Sequence, residues 1–117
     1  MSADAAPGPA IVAGARRRSL ATIHDRAARA AAGRRALGLG EGGALALYLR
    51  NDFEFFEASQ AAARLGAYAT PVNWHFTADE AGYILRDSGA RAVITHSDLY
   101  ATIAAAVPPG TDVLLVD

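Results

Sequence analysis

The sequence contains no cysteine. Disulfides, thiolate metal sites and a cysteine nucleophile are therefore excluded. It also contains no lysine, so all eleven basic residues are arginine. That removes a Schiff base, a phosphate-loop lysine and any catalytic lysine. An excess of either charge is missing too: eleven basic residues stand against twelve acidic ones. A net charge near zero gives no electrostatic case for nucleic acid or an anionic membrane. No apolar run approaches the roughly 20 residues of a membrane span. Nor does the start read as a signal peptide, because Asp4 and two prolines interrupt Met1 to Ala13 and the basic run Arg16 to Arg18 comes afterwards. A cytoplasmic protein with a loose tail over residues 1–17 is the expectation.

What is present is a chain of 117 residues, 52% apolar and 20% charged. This is one small domain with enough material for a single core. Helical and strand-like segments alternate from residue 18 to residue 117. Thr22 to Leu37 predicts a helix, with Thr22 and Asp25 resembling a capping box and Gly38 as its stop. Ala44 to Leu49 predicts a strand. Asn51 is placed to cap the next helix, which carries Phe53, Phe55 and Phe56 and ends at Gly66. Ala67 to Val72 is a second strand. Thr77 with Glu80 forms a capping box that opens a third helix, closed by Ser88 and Gly89. Arg91 to Thr95 is a third strand. Ser97 is placed to cap a fourth helix, stopped by Pro108 and Pro109. Val113 to Val116 is the last strand. Short apolar strands without clean alternation suit an α/β fold with an open, mostly parallel sheet and helices on both faces. The last strand is followed by one residue, so the sheet is expected to meet more chain or another subunit at that edge.

Few motifs carry chemistry. Gly38 to Gly43 matches G-x-G-x-x-G, but it follows a helix and precedes a strand. A dinucleotide fingerprint needs the reverse order, so the run reads as a stop and turn. Asn73, Trp74, His75 and Phe76 follow a predicted parallel strand at its carboxyl end, where open α/β sheets bind ligands. Trp74 and Phe76 could line an apolar pocket and His75 could carry a proton, or the aromatics could simply anchor the loop. His24 and His96 have no metal-ligand companion at a useful spacing. Asp79 and Glu80 read as first-turn acids, and Arg16 to Arg18 as a solvated turn. No catalytic, cofactor-binding or metal residue is assigned from the residues themselves.

Several stretches in order resemble the adenylate-forming, AMP-binding family of acyl-CoA synthetases. They are Leu37 to Gly42 with Leu47 to Phe55, then Arg64 to Ala67 with Pro71 to Asn73, then Thr77 to Glu80 with Tyr83 to Leu85 and Asp87 to Ala90. Asp25-Arg26-Ala27 fits the family's opening helix, and the wording Asn73 to Thr77 is closest to the fatty acyl-CoA synthetase branch. Gly42-Gly43 departs from the family's frequent Gly-Asp, which reads as a turn residue. The resemblance implies an incomplete part of a large N-terminal domain. It implies a parent reaction in which a carboxylic acid, ATP and coenzyme A give acyl-CoA, AMP and pyrophosphate. ATP, magnesium and CoA belong to that full-length family. Its phosphate loop, magnesium ligand and mobile lysine lie beyond the matched region, so no catalytic residue transfers here. Asn73 to Phe76 is then the substrate-proximal candidate. The expected partner is the remainder of a ligase chain, or a homo-oligomer covering the open sheet edge. The alternative is a stand-alone, non-catalytic binding or oligomerisation module.

Overall fold

The computed structural model of the chain describes residues 8–36, 40 and 42–116. The chain begins with two short strands, β1 (Ala10–Ala13) and β2 (Arg16–Ser19), and helix α1 (Leu20–Ala36). There follow β3 (Ala44–Tyr48), α2 (Phe53–Leu65), β4 (Tyr68–Pro71), α3 (Ala78–Ser88), β5 (Ala92–His96), α4 (Ser97–Ile103), a 3-10 turn over Ala104–Ala106, and β6 (Asp112–Val116). The β3 to β6 strands form one parallel sheet in the order β4-β3-β5-β6. Leu45 lies opposite Ala69 on one side and Ala92 on the other.

The two faces of this sheet explain the apolar runs. Leu45, Leu47 and Leu49 of the β3 segment pack with Ala92 and Ile94 beneath α1 and α2. Ala46, Tyr48 and Val93 point the other way, onto Ala81 and Leu85 of α3 and Leu99 and Ile103 of α4. A strand covered on both faces has no polar side, which is why period-2 alternation is missing. The expected α/β class, parallel sheet and two-sided helical cover are what the chain forms.

Local chemistry sets the helix ends. Thr77 and Glu80 make the reciprocal capping box that opens α3. Gly66 and Gly89 close α2 and α3 with φ of 71° and 65°, a backbone region that costs glycine little. Three expected caps shift by a residue or more. Asp52, rather than Asn51, caps α2, accepting from the Phe53 amide at 2.7 Å. Helix α1 starts earlier than Thr22, because the Ser19 hydroxyl oxygen accepts from the Thr22 amide at 3.1 Å. Helix α4 begins at Ser97 itself, without a side-chain cap from the preceding His96. The expected stop at Gly38 lies outside the described residues.

The N-terminal stretch expected to be a loose tail holds an ordered hairpin over residues 10–19. Its strands pair antiparallel, Ala10 with Ser19 and Ala13 with Arg16. The turn between them is Gly14-Ala15, with Gly14 at a φ of 62°, the residue type a two-residue hairpin turn wants at its first position. Of the three arginines expected to be solvated, Arg17 is exposed, while Arg16 and Arg18 reach α2. Arg18 pairs with the buried Glu57 at 2.6 Å, and Arg26 of α1 pairs with the same carboxylate. The Arg16 and Arg18 guanidinium carbons lie 4.9 and 4.6 Å from the centre of the Phe53 ring, within cation–π range. The hairpin is thus clamped to α2 by charge and aromatic contact rather than by a large apolar face.

The early start of α1 can be checked. Ser19→Ala is expected to lower stability by about 1 kcal/mol in urea unfolding, the usual cost of an N-cap. Thr22→Ala should stay within about 0.5 kcal/mol of the parent. The opposite pattern would return the helix start to Thr22.

Candidate functional site at the carboxyl edge of the sheet

All four parallel strands end on the same side. The connection leaving β3 runs through α2 towards β4, and the one leaving β5 runs through α4 towards β6, on opposite faces. The strand order therefore reverses between β3 and β5, the usual ligand position in such sheets; the cleft at this edge lies one strand over, beyond the ends of β3 and β4. The segments at this edge are residues 49–54 after β3, 72–76 after β4, and 96–98 at the end of β5.

The loop after β4 is held from below by Tyr48. Its phenol oxygen lies 3.1 Å from the Trp74 carbonyl oxygen and 3.0 Å from that of Phe76. A phenol has one proton, so the two carbonyls share it. Burial pushes the Tyr48 phenol above its ordinary value of about 10. Within the loop, the Asn73 side-chain oxygen accepts from the His75 amide at 3.0 Å, and the Phe76 amide donates to the Asn73 carbonyl. This Asx turn fixes the loop locally. Asn73 and His75 are exposed, while Trp74 and Phe76 are half-buried. The Trp74 and His75 rings lie 3.7 Å apart, tilted by 32°. These four residues form one wall of a cleft of about 520 Å³, with Leu49, Asn51 and Phe55 on the other. The structure thus brings Asn73, Trp74, His75 and Phe76 together.

The second part of the edge was not foreseen. Arg50 reaches across to α4 and makes a two-bond pair with Asp98. The hydrogen bond from Arg50, opposed by burial, holds the Asp98 carboxyl below its usual range, and the same bond raises Arg50. Both groups are exposed, so the pair contributes little to stability. The Arg50 guanidinium carbon also sits 5.4 Å from the centre of the Trp74 ring, which joins this pair to the loop. Beneath it, the Arg50 amide donates to Nδ1 of the buried His96 at 3.3 Å. His96 Nε2 faces Glu54 Oε2 at 3.8 Å, and that carboxylate oxygen is buried with no hydrogen-bond partner. The signal for this cluster was in the order of elements, since the residues just after β3 and β5 must meet at a switch point. Spacing along the sequence could not show it, because Arg50 and His96 are 46 residues apart.

Asp52, Glu54 and His96 offer ligand atoms within 4.8 Å of one another. The chemistry does not fit a metal. The Arg50 amide occupies Nδ1, so in the neutral ring the proton sits on Nε2, the nitrogen that would have to bind the ion. Asp52 is committed to the α2 cap and to Arg16. Magnesium in particular asks for an octahedron of oxygens. The cluster is a proton-bearing histidine beside a carboxylate.

Two outcomes follow from this geometry. Tyr48→Phe leaves two half-buried carbonyls without their shared donor and is expected to cost about 1–3 kcal/mol in urea unfolding. The pH signs are opposite for the two shifted acids. Tyr48 is raised, so its contribution is complete below about pH 10 and is lost as pH rises through the folded-state value. Asp98 is lowered, so its small contribution is present above about pH 4 and is lost as pH falls through the folded-state value. In alkaline unfolding, Tyr48→Phe should remove the steepest part of the stability loss above pH 10. An unchanged alkaline limb would show that Tyr48 does not carry it.

Comparison with known proteins gives this edge its context. The family model of the AMP-binding enzyme matches residues 2–117. The long-chain-fatty-acid–CoA ligase FadD13 of Mycobacterium tuberculosis is 41% identical over 80 residues, which is 65% of this chain and 16% of that protein. The 4-coumarate–CoA ligase 3 of Oryza sativa subsp. japonica is 38% identical over 77 residues, 66% of this chain and 14% of its own length. The match thus spans only 16% and 14% of the length of these two curated relatives. Among solved structures, the N-terminal domain of FACL13 from Mycobacterium tuberculosis superposes with a TM-score of 0.78 at 37% identity, covering 87% of this chain and 27% of that one. A benzoate CoA ligase from Burkholderia xenovorans LB400 superposes at 0.84 with 22% identity, covering 91% and 22%, a likeness of fold. The matched segment takes in the N-terminal hairpin, the four-stranded sheet and its carboxyl edge together, and on that match this chain belongs to the AMP-binding enzyme family.

Proposed function

We propose that this chain is the N-terminal scaffold of an AMP-forming acyl-CoA ligase of the fatty acyl-CoA synthetase branch. The parent reaction joins a carboxylic acid to coenzyme A, converting ATP to AMP and pyrophosphate. The observation that carries this reading is the family match over residues 2–117, together with 41% identity to a fatty-acid ligase of which the chain covers 16%. In the complete enzyme, ATP, magnesium and CoA supply the adenylate and the accepting thiol. The chain's own contribution is structural. The edge residues Asn73, Trp74, His75 and Phe76 form the substrate-proximal part, presenting one half-buried aromatic wall to the cleft. Tyr48 and Arg50 hold that wall at a fixed distance from the sheet. The acids, bases and phosphate-binding groups of the reaction come from the rest of the ligase chain. That remainder also covers the free edge of β6, where Leu115 is 54% exposed. Among the described residues no helix is long and apolar enough to cross a membrane. Nothing in the cleft favours a free-standing binding module over this reading.

Two measurements test the proposal. The purified chain, given ATP, magnesium, CoA and a panel of fatty and aromatic acids, should release no pyrophosphate above background. Formation of an acyl-adenylate by the chain alone would overturn the scaffold assignment. Replacing the corresponding N-terminal segment of the mycobacterial long-chain ligase by this chain should retain acyl-CoA formation. A folded chimera without activity would count against the family role.

A further inference from the structure

We propose that the outer edge of β6 is a self-association surface. It takes the β6 strand of a second copy of this chain in antiparallel register, with Leu114 on the two-fold axis. The inference rests on the geometry of this edge and stands apart from the ligase reading. Where the rest of a ligase chain supplies a strand there, that strand replaces the second copy.

The two edges of the sheet are built differently. In β4 the Tyr68 amide donates to the Gly43 carbonyl, and just beyond it the Val72 amide donates to the Leu47 carbonyl. Backbone groups alternate in direction along a parallel strand, so Ala69 and Pro71 direct theirs outward. Pro71 brings no N–H to that edge, which blunts it against further pairing. In β6 the Asp112 amide donates to the Arg91 carbonyl, and the Val116 carbonyl accepts from Ser97. Asp112, Leu114 and Val116 therefore turn their backbone groups to the β5 side. Val113 and Leu115 turn theirs outward, each with an N–H and a C=O. Among the described residues β6 pairs with β5 alone. Its register runs unbroken from Asp112 to Val116, and Leu115 is 54% exposed. Such an edge is a template for another strand.

Two copies joined by a two-fold axis through this edge meet as antiparallel strands. The outward groups fix the register. Val113 opposite Leu115 of the second copy exchanges both backbone bonds, and the axis repeats that pair. Leu114 then lies opposite its own copy. The side chains agree with this arrangement, because opposed residues share a face of the sheet. On the α4 face, Leu115 covers Val113 of the second copy. On the α1 and α2 face, Leu114 meets Leu114, and Asp112 meets Val116. Val116 lines a groove of about 260 Å³ that Arg26 and Arg29 border. Both arginine side chains are mostly exposed, and each has donors beyond those given to Glu57 or Asp25. The acidic start of one β6 thus comes to the basic rim at the end of the other. An in-register parallel pair would instead set Asp112 beside Asp112, with like charges opposed. Exposed charges add little affinity, but they select the orientation. The strand has five residues, which puts the interface at the weak end of the size range and makes association concentration-dependent.

Sedimentation velocity of the purified chain over a rising concentration series should show monomer giving way to dimer. Leu115→Pro removes an outward N–H while sparing the ladder to β5. It should keep the chain monomeric with unchanged helical circular dichroism. If that variant does not fold, Leu115→Arg sets a charge on the edge and carries the same expectation. The chain has no cysteine, so Leu114→Cys reads the register. Diamide should oxidise its thiols to an intermolecular disulfide, because opposed Cα atoms in such a pair lie within the span of that bond. Val12→Cys, on the exposed side of the hairpin, should cross-link far more slowly. A parent chain that stays monomeric at its highest soluble concentration overturns the proposal. So does a dimer that persists in the folded Leu115 variant, or equal cross-linking at the two cysteine positions.

Discussion

Strand β3 is enclosed on every side, and the other elements are arranged to make that possible. Leu45, Ala46, Leu47, Tyr48 and Leu49 are each at most 2% exposed. Both edges of the strand are paired, to β4 and to β5. A parallel strand in this position must be roofed from both faces. The chain does so by sending the helix after β3 over one face and the helix after β5 over the other. Small residues make the roofing close. Ala58, Ala61 and Ala62 of α2, and Ala81 of α3, are all at the core, which lets helix backbones approach the sheet.

The polar cluster of Arg50, His96 and Asp98 at the carboxyl edge is a by-product of that roofing. Two helices that diverge to opposite faces cannot both cover the ends of β3 and β5. The exposed backbone there needs polar partners, and the chain provides them from three separate segments. Tyr48 satisfies two loop carbonyls, His96 satisfies the Arg50 amide, and Arg50 ties α4 to the β4–α3 loop. The candidate site is therefore also the place where the segments are joined. Glu54 Oε2 is the one buried side-chain oxygen among the described residues left out of that joining.

Much of the fold was legible because its signals are local. Thr77 with Glu80, and Gly66 and Gly89 as stops, work within one turn of chain, and the uniformly apolar strands announce a sheet covered on both faces. Asn73 to Phe76 stood out because an aromatic pair follows a strand end. What the sequence concealed depends on distant partners. Arg16 and Arg18 looked solvated because Phe53 and Glu57, which they contact, lie well beyond them in the chain. Asn51 and Asp52 are neighbours of similar capping ability, and it is Asp52, with an extended backbone, whose side chain accepts from the Phe53 amide. His96 appeared isolated because Arg50 and Glu54 approach it from the loop and helix that follow another strand.

The strand order β4-β3-β5-β6 also bears on how such a sheet can be assembled as the polypeptide is made. β4 is synthesised after β3 and adds to one side of it. β5 adds to the other side, and β6 adds to β5. No strand has to be inserted between two that are already paired, so each arrival finds a vacant rim. The N-terminal hairpin follows the opposite rule. Its own register closes over ten residues, but the carboxylate that seats Arg18 emerges 39 residues later. The hairpin therefore waits for α2 before it can be fastened, although three of the four strands of the sheet come later still.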